Sequence, residues 1–94
     1  MKKLMNEKGT YITIYIGDDD DKPTLEELQK IVGGYIEVVY APNGDQIILD
    51  EEGRLKGKPI NEDASEHWRG DNWRTFNSNI VGDAVVLSGK ARLT

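Results

Sequence analysis

Between His67 and Asn79 the sequence His-Trp-Arg-Gly-Asp-Asn-Trp-Arg-Thr-Phe-Asn-Ser-Asn gathers both tryptophans, the one phenylalanine and the one histidine of a 94-residue chain. Arginines and asparagines lie among them, a mixture suited to recognition. Indole faces stack on bases or pack on a partner, guanidinium groups grip phosphate or carboxylate through paired hydrogen bonds, and amides read polar edges. Trp68, Arg69, Asn72, Trp73 and Arg74 are therefore the candidate binding residues. Three readings stay open for the segment: a satellite core with Trp68, Trp73 and Phe76 turned inward, a protein-binding patch, and a nucleotide or small-ligand pocket.

Other constellations speak less for chemistry. His67 has no serine or carboxylate at a spacing that makes a catalytic dyad, and it reads as a surface residue beside Glu66. Asp18, Asp19, Asp20 and Asp21 offer oxygen ligands, but a calcium loop needs a broken twelve-residue spacing that is missing, so the run reads as a solvated, self-repelling turn and no metal site is assigned. Gly33-Gly34 follows a helix and precedes a strand, the reverse of the order in a phosphate-cradling loop, and so reads as a cap. Arg54, Lys56 and Lys58 can touch an anion, although alternate charges on an exposed edge strand also block sheet-to-sheet aggregation, the favoured reading. An enzyme would need carboxylates such as Glu37 and Asp50 to meet in a pocket with separated pKa values. No catalytic residue and no cofactor is assigned.

Composition narrows the setting. The formal charge of -5 disfavours nonspecific binding to nucleic acid. The absence of cysteine removes disulfides, thiolate chemistry and sulfur-held zinc, and suits a reducing compartment. The lysine-bearing amino terminus lacks a signal-peptide apolar stretch, and no window has the length of a membrane span. The expectation is one small domain with no membrane association, open to self-association.

The elements that must position these residues can be read from periodicity. Thr10–Ile16 alternates, with Ile12, Ile14 and Ile16 on one face of a strand. Thr24 and Glu27 form a capping box that opens a helix whose Leu25, Leu28, Ile31 and Val32 make an apolar stripe ending at Gly33-Gly34. Tyr35–Tyr40 and Gln46–Leu49 flank a Pro42–Asp45 turn as a hairpin. Arg54–Pro59 reads as an edge or a loop. Asn61 caps a short helix through Trp68, Arg69–Asn79 is irregular, and Ile80-Val81 with Ala84–Leu87, interrupted by a tight turn or bulge at Gly82-Asp83, reads as the last strand. Residues 1–9 carry no element signal and are open to disorder. The order β-α-β-β-(α)-β predicts an α+β fold, a mixed or antiparallel sheet of about four strands with one main helix on one face.

Three stretches carry a family resemblance: Leu28–Glu37 with its Val-Gly-Gly-Tyr-Ile-Glu, Asp50–Asn61 with Glu-Glu-Gly-x-x-Lys-x-x-Pro-x-Asn, and Ile80–Leu87 with Ile-Val-Gly-Asp-Ala-Val-Val. Together they resemble a family of small proteins of unknown function carried by phages, plasmids and bacterial genomes, over about residues 24–88. The resemblance implies a phage or mobile-element origin and action in a bacterial host cytoplasm. It transfers no catalytic residue. Glu66–Asn79 is longer and richer in tryptophan than the pattern leads one to expect, which makes it the place where this member would specialise. The expected function is that of a non-enzymatic accessory protein that binds a host or phage macromolecule, in anti-defence or host takeover. The alternative is a module that binds or sequesters a nucleotide through Trp68 or Trp73 and Arg69 or Arg74.

Overall fold

A computed structural model describes residues 1–7, 9–17 and 22–93. The four aspartates, and the turn read from them, lie outside the described residues. The architecture is α+β. Strands β1 (Lys2–Met5), β2 (Tyr11–Tyr15), β3 (Ile36–Tyr40), β4 (Gln46–Asp50) and β5 (Ala84–Leu87) form one mixed sheet in the order β1-β2-β5-β4-β3. β5 runs parallel to β2 and antiparallel to β4, and the two outer pairs are antiparallel hairpins.

The capping box at the start of α1 (Leu25–Val32) forms as the sequence dictates, with the Glu27 N–H donating to Thr24 Oγ1 at 3.1 Å. Leu28 and Val32 are fully buried against Tyr15, Ile48, Val85 and Leu87. The helix stops at Gly33, whose φ of 85° is a left-handed conformation that costs glycine nothing.

The other face of the sheet is covered as well. α2 (Glu62–Arg69) lays Ala64 and Trp68 over Ile12, Ile47, Ala84 and Val86. This double cover explains two departures from the period-two reading. Thr13 and Tyr15, expected on the solvent side of their strand, are buried, while Ile16 lies beyond the last paired residue and is 71% exposed. Central β5 is buried at all four positions, as a strand sandwiched between helices must be.

Residues 1–9, which carry no periodic signal, contribute an edge strand. Lys2–Met5 pairs antiparallel with β2, and all four of its residues are exposed. Pairing of backbone, with no buried side-chain stripe, holds this strand in place. Of the two readings of Arg54–Pro59, the loop is the one found: a succession of turns after β4 that runs to Gly57.

Candidate functional site

Two polar constellations stand out, and they are built in opposite ways. The first is the aromatic-arginine segment. α2 begins at Asn61 and leads through Gly70 into a 3₁₀ segment, Gly70–Thr75. Trp68 packs partly buried on the sheet, and Trp73 is 5% exposed while belonging to neither sheet cluster. Arg69 lies between two rings, its guanidinium 3.6 Å from the centre of Trp68 and 4.2 Å from that of Phe76, and its Nε donates to Ser78 O at 3.2 Å. Arg74 lies over Trp73 at 4.4 Å and reaches Glu62 only at 3.8 Å. Asn72 is exposed. The structure thus brings Trp73 and Arg74 together, sets Trp68 with Arg69, and leaves Asn72 apart from both pairs among the contacts described.

Beside this segment an open cleft of about 440 Å³ is lined by Arg54, Ile60, Trp73, Arg74, Phe76 and Asn77, among others. A narrower cleft of about 240 Å³ lies next to it, between Trp68 and the β3–β4 hairpin, and the two share Arg54, Asn79 and Val81. Arg54, Ile60, Phe76 and Asn79 are site residues that the sequence reading did not assign. Arg54 comes from a distant turn, and its guanidinium reaches Ser78 Oγ and, at 3.2 Å, Asn79 O.

The second constellation centres on Asp50, whose side chain is 1% exposed. Lys56 Nζ and Lys58 Nζ reach its carboxylate at 2.7 and 2.9 Å, and the Glu52 N–H donates to it at 2.9 Å. The same two ammonium groups donate to the last carbonyls of α1, Lys58 to Val32 O at 2.7 Å and Lys56 to Gly33 O at 3.0 Å. Burial alone would raise the Asp50 pKa, but the donors from Lys56, Lys58 and Glu52 outweigh it and hold the carboxyl well below the usual range. A Cβ on Gly34 would come within 2.7 Å of Lys56 Nζ and 2.8 Å of Asp50 Oδ1, so the second glycine is needed for close approach and the first for its φ. The anion that the lysines touch is therefore the chain's own, and the expectation of edge-strand charges is corrected.

Asn61 is saturated in the same way. Its Oδ1 accepts from Ala64 N–H at 3.1 Å and from Asn6 Nδ2 at 2.8 Å, while its Nδ2 donates to Tyr11 O and Gly82 O, each at 2.9 Å. One fully buried amide thus caps α2 and ties together β2, the loop before β5 and the segment after β1. Val32, Gly33, Lys56, Lys58, Asn61 and Gly82 of the three motif stretches meet in these contacts, whereas Glu37, Glu51, Arg54 and Val81 of the same stretches line the clefts.

Comparison with known protein families gives a match to the family described as Domain of unknown function (DUF3846), over residues 1–92. The chain belongs to that family. No curated protein and no solved structure matches it. The DUF3846 match runs beyond residues 24–88 on both sides and takes in β1 as well as the whole His67–Asn79 segment.

The remaining polar groups in this DUF3846 chain are arranged against the acid-base schemes considered from sequence. Ile36 pairs with Asp50 and Glu37 with Leu49, so Glu37 and Asp50 project from opposite faces of the sheet. His67 Nε2 lies 3.1 Å from Asp45 Oδ2, and Ser88 Oγ donates to Asp45 Oδ1 at 2.8 Å. The carboxylate sits between the hydroxyl and the imidazole, whereas nucleophile activation requires the imidazole between the other two. Burial would raise the Asp45 pKa, but hydrogen bonds from Ser88, Asn43 and His67 lower it overall. The cluster fastens α2 to the hairpin turn, and Asp45 is the partner that a reading of His67 beside Glu66 does not find. Among the described residues no group of three or more His, Cys, Asp or Glu side chains converges as a metal would need, and no helix is long and apolar enough to cross a membrane.

Proposed function

We propose that this chain is a non-enzymatic binding protein of phage or mobile-element context that acts in a bacterial cytoplasm. It captures a host or phage protein on the face bearing Arg54 and Arg74, in the service of anti-defence or host takeover. The observation that carries the reading is the open cleft whose lining sets Phe76 and Ile60, 44% and 43% exposed, together with the two arginines. Exposed apolar side chains framed by arginine are the composition of protein interface hot spots. The overall negative charge turns the choice of macromolecule toward protein, since a phosphate backbone is repelled at long range. Stacking of a nucleotide base has less support: Trp73 is buried with Arg74 over its ring, and Arg69 occupies a face of Trp68.

The test is a photo-crosslinking amino acid in place of Asn77, on this face, and in place of Tyr35, which is 71% exposed and lines neither cleft. In bacterial lysate the proposal expects one discrete protein adduct from position 77, absent from position 35 and abolished by Arg54→Glu with Arg74→Glu. Equal labelling from both positions, or an adduct indifferent to the charge reversal, overturns it.

A further inference from the structure

We infer that the narrower cleft, between Trp68 and the β3–β4 hairpin, receives a basic side chain of the partner, arginine in preference to lysine. The inference rests on the binding role proposed above for its premise that the partner is a protein. Val39 and Leu49 are half-buried in the lining and Trp68 stands beside them, an apolar surface suited to the aliphatic stem of such a side chain.

The polar groups in the lining are weighted toward acceptors. Glu37 pairs with Leu49 in the ladder, and the Glu51 N–H donates to Tyr35 O at 2.9 Å, which places Glu51 opposite Tyr35. Glu37 and Glu51 are therefore diagonal neighbours on one face of the sheet. Both line the cleft, and among the described residues neither carboxylate has a hydrogen bond or ion pair. Asn79 lies in the same lining. Its Nδ2 donates to Phe76 O at 3.2 Å, which fixes the orientation of the amide, and its Oδ1 is buried with no partner. A buried acceptor without a donor is unfavourable, and a native structure calls for a group that supplies one.

Arg54, the cation in the lining, is directed to Ser78 Oγ and Asn79 O, and leaves both carboxylates and the Asn79 Oδ1 unpaired. Two separated carboxylates match the forked N–H donors of a planar guanidinium better than the compact ammonium of lysine. Because the two clefts share Arg54, Asn79 and Val81, a partner bound on the outer cleft has this one within reach of its next side chain.

The experiment is a titration of the ¹⁵N-labelled full chain with N-acetyl-arginine methylamide, followed through the Trp68 indole and Asn79 side-chain amide resonances. The lysine, norleucine and aspartate analogues serve as parallel probes. Saturable shifts are expected with arginine, weaker ones with lysine and none with aspartate, and Glu37→Gln with Glu51→Gln should weaken arginine binding about tenfold. Both glutamates are exposed, so the variant keeps its fold. Absence of arginine shifts, equal shifts with norleucine, or indifference to the double variant overturns the inference. Loss of arginine binding with the position-77 adduct intact retires the basic side chain alone. Arginine binding without that adduct retires the proposed face and leaves the cleft chemistry standing.

Discussion

The Asp50 cluster and the Arg54–Arg74 face use the same chemical groups to opposite ends. Around Asp50 the charges are closed on one another: one carboxylate meets two ammonium groups, those ammonium groups cap a helix, and the nearby Asn61 amide spends both of its polar atoms on four partners. At the neighbouring clefts, Asn79 leaves an acceptor unused, two glutamates stand unpaired and Arg74, over the Trp73 ring, has only a long ion pair with Glu62. Saturation marks a group that holds the fold, and open valence marks one that faces something else. The three stretches of most specific sequence pattern contribute to both regions, Val32, Asp50, Lys56 and Asn61 to the first and Glu37, Glu51 and Arg54 to the second.

The largest effect expected from breaking this contrast is at Asn61. Asn61→Ala removes the cap of α2 and strands Tyr11 O and Gly82 O in a buried site, so unfolding in urea should show a loss of roughly 4 kcal/mol. Trp73→Ala comes next, at about 3 kcal/mol, because the ring is buried under its loop. That outcome sharpens the comparison, since it assigns Trp73 to support of the binding face and removes it from the contact surface. A Trp73→Ala variant that melts like the parent would place the indole outside the core.

Asp50→Asn follows, at about 2 kcal/mol near neutral pH, discounted because Lys56 and Lys58 are 38% and 25% exposed. Its signature is in the pH dependence. A carboxyl held below its ordinary pKa in the folded state contributes stability that is complete above the unfolded pKa and is lost as pH falls through the folded one. The parent should therefore lose stability progressively below about pH 4, and Asp50→Asn should flatten that acid limb. An unchanged acid limb would show that Asp50 is not the titrating group.

Much of the fold was legible because it rests on local rules. The capping box at Thr24 and Glu27, the Gly33 cap, the hairpin around Pro42–Asp45 and the Asn61 cap each need only neighbours in sequence, and each is present. What escaped reading depends on distant partners. β1 has no buried stripe to betray it, and the burial of Thr13 and Tyr15 follows from a second helical layer that a short, polar α2 barely signals. Lys56 and Lys58 look like solvated charge until Asp50 and the end of α1 are brought to them. At the candidate site, aromatic and arginine content pointed to a segment that lines the outer cleft, but Arg54, Ile60 and Glu37 reach the two clefts from other elements.

The smallest stability effect belongs to the proposed binding face, and it tests the account most directly. Urea unfolding of the Arg54→Glu/Arg74→Glu variant, run beside crosslinking from position 77, should show stability within about 1 kcal/mol of the parent and complete loss of the adduct. A fall in stability of about 3 kcal/mol, the size expected of a core residue, or an adduct that survives the reversal, would contradict the division between a closed structural cluster and an open binding face.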